Sequence, residues 1–293
     1  MSKIILLSFA SSNLKGTAER FANQANALNV FDEVFIKNER DLDEDFRIRH
    51  AKYLKWYIRG FGYWSWKPQI IAQTLNKMKA GEILCYCDIG CHINQAGQQR
   101  LNEYLEILEH TDNGILAFQS KKTESTLDFD DRFYAELQDY QWAKGDVLRY
   151  FNVIDRQDIT HTPTIGAGII FIQKNEFSEQ FINKWLSAIN TNFSLIDDSP
   201  SMSNNIIGFI ENRHDQALFS ILAKLHRVKT LSSFEYWYPS KQNPSQPDWP
   251  MLKNYPFHAK RDIKLPLSNI FMLKIGSLKR KIENKITIKR HTT

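Results

Sequence analysis

The chain has 293 residues, 42% hydrophobic and 24% charged, which is enough for one large α/β domain with a well-buried core. No run approaches the ~20 apolar residues of a membrane-spanning helix. The short apolar N-terminus flows into a helical pattern and reads as a buried strand rather than a secretion signal, so a cytoplasmic protein is expected. The net charge of +5 is concentrated at one end: residues 261–293 hold nine Lys/Arg against two acids, and the rest of the chain nets −2.

In chain order, residues 4–9 read as a buried strand, 17–28 as a helix and 31–36 as a second strand. Residues 43–58 are charged and helical. Residues 59–68, Arg-Gly-Phe-Gly-Tyr-Trp-Ser-Trp-Lys-Pro, form a loop whose glycines imply close backbone contacts, and Pro68 suits the first turn of a helix reaching 79. Residues 81–87 are a strand, 96–109 a helix and 114–119 a strand. The polar, acidic stretch 120–131 reads as a loop. A helix over 142–151, a buried strand over 166–173 and an amphipathic helix over 177–190 follow. Residues 197–201 form a loop, 215–226 a helix and 228–231 a short strand, and 239–256 are irregular. This alternation predicts an α/β fold with a mostly parallel sheet flanked by helices. Residues 1–261 are expected to form one catalytic domain and 262–293 a basic amphipathic tail.

Cys85, Cys87 and Cys91 suit neither a disulfide framework nor a zinc site, and read as buried thiols. Four segments carry chemistry. An apolar strand runs into Asp88-Ile-Gly90, the place where open α/β sheets collect ligands and where an acid can hold a divalent cation against a diphosphate. A turn or capping aspartate is the plainer explanation of the same residues. Asn212-Arg-His-Asp215-Gln216 opens a helix, so Asp215 is a candidate cap. The alternative is that His214, Asp215 and Gln216 face a sugar or acceptor. His258, beside Lys260 and Arg261, offers a neutral metal ligand with phosphate-binding charge, or else a solvated basic segment. Lys67 precedes a helix N-terminus, which favours anions, and Trp64 and Trp66 offer faces for a base or sugar, or packing beneath a loop. No Walker loop, dinucleotide glycine motif, nucleophile elbow or nucleic-acid module is present, so no nucleic-acid partner is expected.

Taken in order, segments 59–68, 81–90, 142–146, 195–201 and 213–216 resemble a group of bacterial glycosyltransferases tied to capsule and lipopolysaccharide synthesis. More distantly, the layout is similar to the glycogenin-like and lipopolysaccharide galactosyltransferase group. The resemblance implies a GT-A-type fold, a UDP-sugar donor, a glycan or lipid-linked acceptor and retention of configuration. It also implies a Mn²⁺ or Mg²⁺ ion on Asp88 and His258, although Gly90 stands where that group carries a second aspartate. Phe9, Ala10 and Ser11 would meet the nucleotide, with Trp66 beside it, and Lys67 and Lys260 would serve the phosphates. Gly166 and Gly168 would lie beside the acceptor. Asp215 and Gln216 would act on the reacting sugar, and Asp146, Asp198 and His214 are candidates for hydroxyl contacts. Leu267, Ile270, Phe271, Lys274 and Leu278 fit helical spacing, so the tail is expected to touch an anionic membrane surface. A non-catalytic sugar-nucleotide or glycan-binding protein is the rival expectation, and a nucleotidyltransferase lacks its triphosphate loop.

Overall fold

The computed structural model describes residues 2–123, 137–243 and 245–263. The strands are β1 (Ile4–Phe9), β2 (Glu33–Lys37), β3 (Ile83–Cys87), β4 (His92–Ile93), β5 (Ile115–Gln119), β6 (Ile165–Gln173), β7 (Lys229–Ser232) and β8 (Phe257–His258). The helices are α1 (Lys15–Leu28), α2 (Glu44–Arg49), α3 (Gly60–Tyr63), α4 (Trp66–Leu75), α5 (Gln98–Glu109), α6 (Asp139–Trp142), α7 (Gly145–Tyr150), α8 (Gln157–Thr160), α9 (Glu176–Thr191) and α10 (Asp215–Leu225).

Six strands form one sheet in the order β2-β1-β3-β6-β5-β7. Only β6 runs against its neighbours, pairing antiparallel with both β3 and β5. The other pairings are parallel. This is the expected α/β architecture with a mostly parallel sheet. The two-residue period of the strands divides the core. Leu7, Leu84, Tyr86, Ile170 and Ile172 face one side, under α4, α9 and α10. Leu6, Cys85, Cys87, Ile169 and Phe171 face the other, under α1 and α5. All three cysteines are free and buried.

Three departures from the sequence reading have local causes. The helix expected over 43–58 stops at Arg49, because Tyr53 turns to stack on Phe193 at 3.6 Å and the chain must then enter the loop at 59. The helix expected over 142–151 is split by extended backbone at Ala143. The pair β4–β8, too short to show a period, places His92 opposite His258. Residues 124–131 of the expected acidic loop lie outside the described residues, as does the tail from 264 onward with Leu267, Ile270, Phe271, Lys274 and Leu278.

Candidate active site

β1 and β3 end side by side, running out into Ala10-Ser11 and Asp88. Because β6 is antiparallel, its first residues, with Gly166 and Gly168, reach the same edge, and the Asp88 N–H donates to the Gly168 carbonyl at 2.8 Å. A cleft of about 460 Å³ opens there. Its walls come from parts of the chain that are distant in sequence, among them 9–14, 56–67, 88–91, 166–169, 213–216 and 259–263. Of the expected residues, Phe9, Ser11, Trp66, Lys67, Asp88, Gly90, Gly166, Gly168, His214, Asp215 and Gln216 line it.

Segment 59–68 reaches the cleft through unusual backbone. Gly60, Phe61, Gly62, Tyr63 and Trp64 all have φ between 53° and 95°, a left-handed turn of five residues. Each non-glycine residue there costs roughly 1–2 kcal/mol. The turn is held by N–H bonds from Tyr63 to the Arg59 carbonyl (2.7 Å) and from Trp64 to the Gly60 carbonyl (3.2 Å). The Trp66 indole N–H also donates to the Gly60 carbonyl, at 2.9 Å. Only glycine fits at position 60, where a Cβ would lie 2.3 Å from the Trp64 ring. The turn delivers Arg59, Phe61 and Trp64 to the cleft wall and Lys67 to its floor. Trp66 is buried with its ring stacked on Phe9 at 4.0 Å, so that face serves packing.

Lys67 is 3% exposed and sits among acceptors. Its Nζ lies 2.8 Å from Asp215 Oδ2 and 3.3 Å from Asp88 Oδ1, and donates to the Ala167 carbonyl at 3.0 Å. The contact with Asp215 is close enough for a strong ion pair but off the hydrogen-bond axis of that oxygen. Burial opposes the Lys67 charge, but the two carboxylates outweigh it and raise the pKa above the ordinary lysine value. Burial pushes Asp215 up to about 6 despite the opposing pull of Lys67. The Tyr86 hydroxyl also donates to Asp88 Oδ1, at 2.6 Å. Asp215 therefore does not cap α10; the N-cap is His214, with no side-chain cap bond.

His214 has φ 55° and ψ −127°, an uncommon backbone state for a residue with a side chain. Its Nδ1 lies 2.6 Å from the Ile196 carbonyl, which can only accept, so Nδ1 carries the proton and Nε2 presents a lone pair. Nε2 is buried without a hydrogen-bond partner, 3.9 Å from Asp198 Oδ1. Burial holds His214 down to about 4, so it is neutral at pH 7. An acceptor buried in this way is left short of a donor.

Asp198 does not line the cleft. It stands beside it, on Arg59 and His214, and adds to burial in raising Tyr63 to about 12. Asp146 is also elsewhere: its carboxylate accepts the N–H groups of Met202 (2.8 Å) and Ser203 (2.7 Å), which outweigh its partial burial and hold its pKa low. Neighbouring Lys144 donates to the carbonyls of Asp197 and Ser199, so this segment pins the 197–205 loop. Ala10 is buried beside the cleft, its N–H on the Lys37 carbonyl. Several cleft residues carried no expectation. Arg213 sits inside a motif read for its neighbours, Arg59 opens the 59–68 loop, Trp56 lies just before it, and Tyr236 has no local signal, while Arg261, expected as phosphate-binding charge beside His258, does line the cleft.

No protein-family model matches the chain, and no curated protein matches it. Among solved structures it is similar to a glycosyltransferase involved in the glycosylation of the major capsid of PBCV-1, at 10% identity and TM-score 0.41, covering 94% of this chain and 99% of that one. It is also similar to mouse xyloside xylosyltransferase 1 (9% identity, 80% and 86% covered, TM-score 0.42). A third is the galactosyltransferase LgtC solved with donor and acceptor sugar analogues (13% identity, 79% and 74% covered, TM-score 0.39). At these scores none of them assigns a function, which has to come from the cleft itself.

The divalent ion implied by the resemblance does not fit the residues present. His258 does not line the cleft; its Nε2 lies 2.8 Å from the Leu252 carbonyl and must donate its proton there, and its ring stacks near Trp249. Asp88 Oδ1 is taken by Tyr86 and Lys67, and Gly90 supplies no carboxylate. Among the described residues, no group of three or more His, Cys, Asp or Glu side chains is placed to hold a metal. Lys260, expected at the phosphates, is exposed over the Trp249 ring and outside the cleft lining.

Proposed function

We propose that the chain is a glycosyltransferase that moves a hexose from a UDP-sugar to a glycan or lipid-linked acceptor of a bacterial surface polysaccharide. The observation that carries this reading is the meeting of Lys67, Asp88 and Asp215 on the floor of one cleft at the strand ends. Four cations line that cleft among the described residues, Arg59, Lys67, Arg213 and Arg261, against two carboxylates. A cleft with this excess of positive charge suits a diphosphate, and aromatic faces at Phe61, Trp64 and half-exposed Trp56 suit a base or sugar ring. Gln216 and Asp215, which line the cleft, offer partners for sugar hydroxyls.

In the transfer, the bond from the anomeric carbon to the diphosphate oxygen breaks, and its electron pair stays on the diphosphate. An acceptor hydroxyl oxygen bonds to the anomeric carbon, and its proton passes to the departing diphosphate. The cations stabilise the charge that develops on the leaving group, the largest electrostatic demand of the step. Asp88 and Asp215 keep Lys67 charged and aimed. Retention of configuration is the outcome that the sequence resemblance favours.

The test is a panel of UDP-sugars with UDP release as the readout, run on the native protein and on Asp88→Asn. Slow release that the substitution abolishes supports the transferase. Tight UDP binding with no turnover on any plausible acceptor instead favours a sugar-nucleotide-binding protein.

A further inference from the structure

We infer that the cleft takes its nucleoside diphosphate without a divalent cation, the positive charge coming from Lys67, Arg213 and Arg261. The inference rests on the transferase reading above and deepens it.

The space between the two carboxylates is already filled. An ammonium has three donors, and those of Lys67 face Asp88, Asp215 and the Ala167 carbonyl. A divalent ion bound to Asp88 Oδ1 at about 2.1 Å would stand roughly 4 Å from Nζ. At an effective dielectric of about 20 the ammonium would cancel roughly half of the attraction that such an ion gains from the Asp88 carboxylate.

The place of a second carboxylate is crowded by packing. A Cβ on Gly90 would lie 3.2 Å from the Arg261 Cα, in backbone that cannot swing aside freely. The Asp262 N–H donates to the Gly90 carbonyl at 3.0 Å, and Arg20 ties the two strands of this contact together through the carbonyls of Ile89, Cys91 and Asp262. His92 adds a bond to the Asp262 carboxylate at 2.9 Å. The clamp that crowds a side chain at position 90 is the same clamp that holds Arg261 at the cleft.

Arg261 has φ 53° and is exposed at the cleft. Burial lowers the pKa of Arg213 against the opposing pull of Glu211, and the charges of Arg261 and Arg59 lie near enough to add to the lowering. Glu211 pairs with Arg213 at 3.4 Å and with Arg59 at 4.0 Å, which leaves Arg261 as the guanidinium at the rim best placed to give an incoming diphosphate charge-assisted hydrogen bonds.

The experiment is calorimetric titration of UDP onto the full-length protein, in EDTA and again in excess Mn²⁺. The expected result is the same affinity in both buffers within about twofold, and a loss of about tenfold in Arg261→Gln in both. Arg261 is exposed, so that variant folds, and an unchanged melting temperature confirms it. Binding at least about tenfold tighter in Mn²⁺ overturns the inference and leaves the transferase reading intact. So does full affinity in Arg261→Gln. Failure of UDP, GDP, ADP and CDP to bind in either buffer overturns both.

Discussion

Replacing Lys67 with methionine removes the ammonium while keeping most of the stem, so the change acts on charge rather than packing. Nζ lies 2.8 Å from Asp215 and 3.3 Å from Asp88, and at an effective dielectric of about 20 each attraction is worth roughly 5–6 kcal/mol before the cost of burying the ammonium. Breaking such a buried arrangement from one side leaves Asp215, 3% exposed, with an uncompensated charge, and the expected loss is roughly 3–5 kcal/mol at pH 7.5. Asp215 escapes the penalty by taking a proton. Its pKa is already about 6 beside Lys67 and rises further without it. A carboxylate whose folded pKa exceeds its unfolded value favours the folded state more as pH falls through the folded pKa. The deficit of Lys67→Met is therefore largest above pH 7 and shrinks toward pH 5. Urea unfolding of the native protein, Lys67→Met, Asp215→Asn and the double variant at both pH values gives the deficit and the coupling. A deficit under about 1 kcal/mol, or one equal at the two pH values, would refute the assignment of Lys67 as the charge that holds this site together.

Two further outcomes follow from the same geometry, and a third from the basic sequence of the tail. His214, held down to about 4, binds its proton more weakly when folded than unfolded, so its contribution to stability falls from pH 6.5 to 4, by about 3 kcal/mol. Asp215 contributes in the opposite sense over nearly the same window, so His214→Gln should make stability rise as pH drops toward 4.5, and a pH profile parallel to the native one would contradict this. Gly60→Ala drives a Cβ into the Trp64 ring at a positive φ, and should cost roughly 2–3 kcal/mol and weaken UDP binding; a melting temperature unchanged within error counts against the left-handed turn. Deleting residues 264–293 should reduce sedimentation with anionic vesicles and spare zwitterionic ones, with equal binding by both proteins as the contrary result.

What could be read from the sequence was what is encoded locally. The apolar strand ending at Asp88 and the polar start of α10 are each a few residues long, and their periodicity places them at sheet and helix ends. Partners at long range were not legible. Lys67 was read for its place near a helix N-terminus, yet its acceptors are 21, 100 and 148 residues away in the chain. Asp146 was a candidate for a hydroxyl contact through the resemblance of segment 142–146, but the loop that folds back onto it, 201–203, has no pattern that announces the contact. His258 shows the same limit. Its neighbours Ala259 and Arg261 reach the cleft, while β8 turns its own ring toward Leu252. The two glycines of 59–68 did signal a close turn, but the positive φ of Phe61, Tyr63 and Trp64 has no counterpart in residue preference and is imposed by packing.

A crystal structure with UDP bound tests the central claim most directly. The account predicts the diphosphate in the cleft at the ends of β1 and β3, within hydrogen-bond reach of Arg261 or Arg213 and close to Lys67, with the base toward Phe9 and Ser11. UDP seated on another face of the sheet, with Lys67, Asp88 and Asp215 untouched, would contradict it.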